Sequence, residues 1–174
     1  MKIIIGVDSQ FVYHTLKSAQ LDLRFPYAKL RALIEGERDE VLDMFVPAVR
    51  FPPKDDSLQA TAESYDNYFR FARALEQEGA HVIEAPAKVF RGEVKHSDDQ
   101  RLMIRLALVC ARLKPDFLAL LAADGDYAPL VWGLREEGIR TKLITDFASL
   151  APDLRRAAYS VSSFHNVLEQ LYRE

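Results

Sequence analysis

Aspartates recur in this sequence at the places where apolar runs end. Asp8 follows Lys2–Val7, Asp124-Gly125-Asp126 follows the most apolar run of the chain, and Asp146 follows Ile139–Thr145. A further pair, Asp98-Asp99, opens a helical stretch behind Ser97. Carboxylates brought close together repel and raise one another's pKa. A divalent cation relieves that repulsion, and an oxygen-only donor set suits Mg²⁺ or Mn²⁺. A cation held this way activates water and polarises a phosphodiester, so phosphoryl hydrolysis is the chemistry the arrangement fits best. Each acid also has a plainer role. Asp126 can cap the helix that follows it, and Asp98 and Asp99 suit a first helical turn whatever else they do. Asp146 reads more readily as a surface turn residue than as a ligand.

The elements that must position these acids alternate along the chain. Strands are expected at Lys2–Val7, Val41–Val49, Ala80–Pro86, Asp116–Ala123 and Ile139–Thr145. Helices are expected at Gln10–Gln20, Pro26–Ile34, Ser57–Glu78, Ser97–Lys114, Tyr127–Glu137, Leu150–Ala158 and Phe164–Tyr172. Gly79 and Gly138 mark helix ends, and Ser97-Asp98-Asp99-Gln100 has the form of a capping box. Ala87–His96 reads as a loop. Strands this apolar have no wet face, which predicts a three-layer α/β/α fold on a mainly parallel, about five-stranded sheet. In such sheets reactive groups collect at the carboxyl ends of the strands, where these acids stand.

The 174 residues form one expected domain, 1–174, with no repeat, low-complexity tract or linker to divide it. Hydrophobic content of 49% with 28% charged residues describes a globular chain. The longest apolar run is far short of the roughly 20 residues of a membrane helix, and Asp8 interrupts what a signal peptide would keep apolar. One cysteine, Cys110, leaves no internal disulfide, so a cytoplasmic protein is expected. A net charge of −3 argues against tight, charge-driven binding to duplex nucleic acid. Dinucleotide and nucleoside-triphosphate phosphate loops and the serine-hydrolase elbow are absent from the sequence. His14, His81, His96 and His165 are scattered without i,i+4 pairing, which assigns them to surface or core.

Leu120-Leu121-Ala122-Ala123-Asp124-Gly125-Asp126-Tyr127-Ala128-Pro129-Leu130-Val131 closely resembles the signature of NYN domains, a PIN-like nuclease group. Ser149–Ala158 resembles the family's downstream Ser-x-x-Leu-Arg-x-Ala-Ala-Asp segment. Val7-Asp8-Ser9-Gln10 stands where the family has Asp-Gly-x-Asn, and Lys95–Leu102 where it has Lys-Gly-Val-Asp-Val-x-Leu. The resemblance implies a PIN-like fold and Mg²⁺- or Mn²⁺-dependent cleavage of RNA. It implies Asp8, Asp99, Asp124 and Asp126 as catalytic metal ligands. Asp99 is taken over Asp98 because Leu102 then follows at the family's spacing, whereas Lys95 fits the Asp98 alignment better. Gln10, Asp98 and Lys95 are auxiliary candidates. The chain departs from the pattern at Gln10, at Ala122-Ala123, at Arg105 where an acid is common, and at Tyr159 where the last segment has Asp.

The expected function is therefore a metal-dependent ribonuclease acting on single-stranded or structured RNA. A catalytically silent PIN-like module, binding RNA or a protein partner, is the alternative. A haloacid-dehalogenase-like phosphatase would need an acid at position 10, where the chain has glutamine. Oligomeric state leaves no mark in the sequence.

Overall fold

The computed structural model describes residues 1–173. In chain order the elements begin β1 (Lys2–Val7), α1 (Ser9–Ser18), α2 (Tyr27–Glu35), β2 (Glu40–Arg50), α3 (Leu58–Gln77) and β3 (His81–Pro86). They continue with β4 (Lys88–Phe90), β5 (Glu93–Lys95), α4 (Asp98–Leu113) and β6 (Phe117–Leu121). After one 3-10 turn at Gly125–Tyr127 come α5 (Ala128–Glu136), β7 (Arg140–Thr145), α6 (Pro152–Ala157), β8 (Ser160–Ser163) and α7 (Phe164–Leu171).

Six strands form the main sheet in the order β3-β2-β1-β6-β7-β8, and each neighbouring pair is parallel. The chain winds outward from β1 in one direction, then returns beside β1 and winds outward in the other. The reversal leaves a crevice at the carboxyl ends of β1 and β6, where α/β sheets place their ligands.

The run Ile3-Ile4-Ile5-Gly6-Val7 is buried throughout because both faces of β1 are covered. Ile3, Ile5 and Val7 pack into a cluster with Leu16, Leu30, Leu75 and Phe164 from α1, α2, α3 and α7. Ile4 packs on the opposite face with Leu102, Leu106, Val131 and Leu154 from α4, α5 and α6. Gly6 is required by that second face. A Cβ there would lie 2.6 Å from Leu106 Cδ1, so α4 rests against bare backbone of β1. This contact sets the height of α4 relative to the end of β1.

Three local features differ from the sequence-based expectation. The sheet has a sixth strand, β8, whose Ser-Val-Ser-Ser carries a single apolar residue and forms one edge. The expected loop 87–96 contains an antiparallel hairpin, with Lys88 opposite Lys95, Val89 opposite Val94 and Phe90 opposite Glu93. Its two-residue turn, Arg91-Gly92, has φ of 53° and 81°, the positive values a type I′ hairpin turn needs. The capping box is not made. Ser97 gives no side-chain bond to the first amides of α4, and its Oγ instead accepts from Arg101 Nε at 3.3 Å.

Candidate metal centre

Asp8 is the first residue beyond β1 and the N-cap of α1. Its Oδ1 accepts from the amides of Gln10 and Phe11, each at 3.0 Å, and its own amide donates to the carbonyl of Leu121 at 2.9 Å. The backbone of Asp8 is thus tied to the end of β6 and its carboxylate to the start of α1, and Asp8 is only 5% exposed. Two further carboxylates come from the first turn of α4. Asp98 is 3% exposed and Asp99 is half-buried. One carboxylate oxygen from each of Asp8, Asp98 and Asp99 lies within 4.8 Å of the others.

At this spacing two of the acids, Asp8 and Asp99, are held above the usual carboxylate range. Burial raises the Asp8 carboxyl from 3.8 to about 7, with further increases from the charges of Asp99 and Asp98 and opposition from the two amides. Asp99 is also raised, first by burial and then by the charges of Asp98, Asp124 and Asp126. Opposing this, the hydroxyl of Tyr127 donates to Asp99 Oδ1 at 2.9 Å. Tyr127 is wholly buried, and burial together with Asp8 and Asp99 keeps its phenol protonated as a donor. Three carboxylates this close could hold a divalent cation. All of the donors are carboxylate oxygens, which suits Mg²⁺ or Mn²⁺ over softer metals.

The cluster lines a cleft of about 830 Å³. Asp124 reaches the cleft from the end of β6, where its Oδ1 caps the 3-10 turn by accepting from the amide of Asp126 at 3.0 Å. Gln10 and Asp146 line it from α1 and the end of β7. Asp146 also closes a turn of its own, accepting from the amide of Ala148 at 3.1 Å. The segment singled out at 149–158 docks onto the β6 end, where the amide of Ala151 donates to the carbonyl of Ala123 at 3.0 Å.

Two of the residues named from the sequence stand apart from this floor. Asp126 is exposed and does not line the cleft, though its charge is felt at Asp99. Lys95 lies on β5 with its ammonium 4.8 Å from the centre of the Phe90 ring, outside the cleft lining. Conversely, three of the four histidines, His14, His96 and His165, line the cleft from α1, the segment before α4, and α7. No local spacing could have grouped them, because only the folded sheet brings these three segments to one opening.

The NYN domain model matches residues 2–165, nearly the whole chain. The chain belongs to the NYN domain family, part of the PIN-like nuclease superfamily. A search of curated proteins finds no match. Among solved structures, this NYN domain is similar to a protein of unknown function from Vibrio parahaemolyticus, with 20% identity and a TM-score of 0.65. That match covers 93% of this chain and 91% of the other, and it supports the three-layer α/β fold. A proposed UDP-N-acetylglucosamine 2-epimerase from Listeria monocytogenes aligns at 11% identity and a TM-score of 0.45, over 99% of this chain and 43% of that one. The NYN fold thus carries an acidic cluster able to hold a metal, and no helix among the described residues is long and apolar enough to cross a membrane.

Proposed function

We propose that this NYN domain is a metal-dependent ribonuclease, hydrolysing RNA phosphodiester bonds in the acidic cleft. The observation that carries the reading is the trio of buried Asp8 and Asp98 and half-buried Asp99, with carboxylate oxygens within 4.8 Å of one another at the sheet's switch point. Mg²⁺ or Mn²⁺ held there supplies Lewis-acid activation of water and of the scissile phosphate. Asp8, Asp98 and Asp99 hold the cation, Asp124 completes the set from the β6 end, and Asp126 adds negative potential from the rim. Tyr127 fixes the carboxylate of Asp99 in one orientation through its hydroxyl. Gln10, beside Asp8, is the amide available to orient a phosphate oxygen. The lone buried cysteine fits a cytoplasmic setting.

The test incubates purified protein with labelled single-stranded and duplex RNA in Mg²⁺, Mn²⁺ or EDTA, with Asp124→Asn as the contamination control. Cutting that needs the metal and is lost in the variant is the expected result. Cutting that persists in EDTA or in the variant counts against the reading. Failure to cut any substrate would favour a silent RNA- or protein-binding module.

A further inference from the structure

We propose that the β4–β5 hairpin docks single-stranded RNA at the mouth of the acidic cleft, with a base stacked on Phe90 and the backbone held by Lys88, Arg91 and Lys95. The inference rests on the ribonuclease reading and adds the form of the substrate.

All six strand residues of the hairpin are exposed, and it pairs only with itself. Phe90 is 52% exposed, which leaves a large ring in water on a projecting arm. Arg91 and Lys95 place their cationic groups 5.2 and 4.8 Å from the centre of that ring. Both cations sit over the ring, so a base that stacks on its exposed part takes the place of one of them and leaves that cation to its phosphates.

The register adds a second, independent observation. Lys88 and Lys95 are directly opposite across the two strands. Like charges in that position destabilise a hairpin that is already short. An anion between them removes the penalty, and a phosphate is the anion a nuclease meets. Against these three cations the hairpin has one acid, Glu93, opposite Phe90. Such local positive charge is what a chain of net charge −3 with an acidic site needs to hold a polyanion.

Position connects this arm to the chemistry. His96 follows β5 directly and lines both the acidic cleft and a groove of about 730 Å³ beside the hairpin. Phe51 meets His96 edge-on, with ring centres 5.7 Å apart, and is itself 53% exposed. His96 thus joins the hairpin groove, which Phe90 lines, to the cleft that holds Asp98 and Asp99, with Phe51 packed beside it. A single strand presents free base faces to such rings, whereas duplex bases are already stacked on each other.

The experiment measures anisotropy of a labelled oligoadenylate, and of its blunt duplex with oligouridylate, on the full chain in EDTA, where no cutting competes. The single strand is expected to bind more tightly than the duplex. Phe90→Ala should weaken it about tenfold with unchanged melting temperature, and Phe90→Tyr should restore it. The Lys88→Ala/Lys95→Ala double variant should lower the log–log salt slope by about 1.4. Wild-type affinity in Phe90→Ala and in the lysine variant, beside intact RNA cutting, overturns the hairpin proposal and leaves the nuclease reading standing. Hairpin-dependent binding without cutting supports the dock and sinks the nuclease reading. No binding of single strands by the wild type overturns the dock.

Discussion

Asp8 is the residue on which stability and chemistry conflict most sharply. Its carboxyl, raised from 3.8 to about 7 by burial, stabilises the folded state only while protonated. The contribution is complete below pH 3.8 and is lost as the pH rises through about 7, a cost on the order of 4 kcal/mol for the metal-free protein. Asp8→Asn keeps an oxygen to accept from the amides of Gln10 and Phe11 while removing the charge. It is expected to melt higher than the wild type at pH 8 without metal, and to lose the response to Mn²⁺ in the same thermal scan. A variant that melts lower and still responds would contradict the buried-acid account. Tyr127→Phe removes the donor to Asp99 without opening much space. A loss of about 1–3 kcal/mol in urea unfolding is expected, with Mn²⁺ affinity weakened about tenfold by titration.

At the scale of elements, the contact between Gly6 and Leu106 sets where α4 presents its two acids. Gly6→Ala forces Leu106, which is fully buried, out of its place. A stability loss of about 1–3 kcal/mol in urea is expected, together with weaker Mn²⁺ binding as α4 lifts from β1. Unchanged metal affinity in a destabilised variant would show that α4 holds its acids independently of this contact. The elements were unequally legible. β1 and β6 stand out most in the sequence because strands covered on both faces are nearly continuous in apolar residues, whereas β3 and β7 show shorter apolar runs between polar ones. β8 lies at an edge with one apolar residue in four, and it has no such signal. The hairpin has three-residue strands and an Arg-Gly turn, where Asn-Gly or Asp-Gly would have marked it. Asp98 is legible only as an auxiliary candidate ranked below Asp99, since an acid in a first helical turn is favoured by the helix dipole alone. Only its burial beside Asp8 separates it from that ordinary role.

For the whole molecule, the proposed metal site would make metal binding and folding one equilibrium. The cluster gathers charges that repel in the free protein, so a cation that binds only the native state stabilises it by mass action. Millimolar Mn²⁺ or Mg²⁺ is expected to raise the melting temperature, and to raise it more at pH 8 than at pH 5.5, because Asp8 must lose its proton to serve as a ligand. Differential scanning fluorimetry at the two pH values checks this. An equal shift at both would mean the ion binds elsewhere. The cleft joins residues as distant as Gln10 and His165, so its acids could be proposed one by one from the sequence while its histidines could not.

The strand order also has a consequence for how the protein is made. β1 lies inside the sheet, yet one of its two neighbours, β6, follows it by more than a hundred residues. On the ribosome, Asp8 emerges early, but its amide finds the carbonyl of Leu121 only after that residue has left the exit tunnel. Asp98 and Asp99 arrive between the two. Until β6 is made, the acids that follow β1 and open α4 lack the strand end that brings Asp124 beside them.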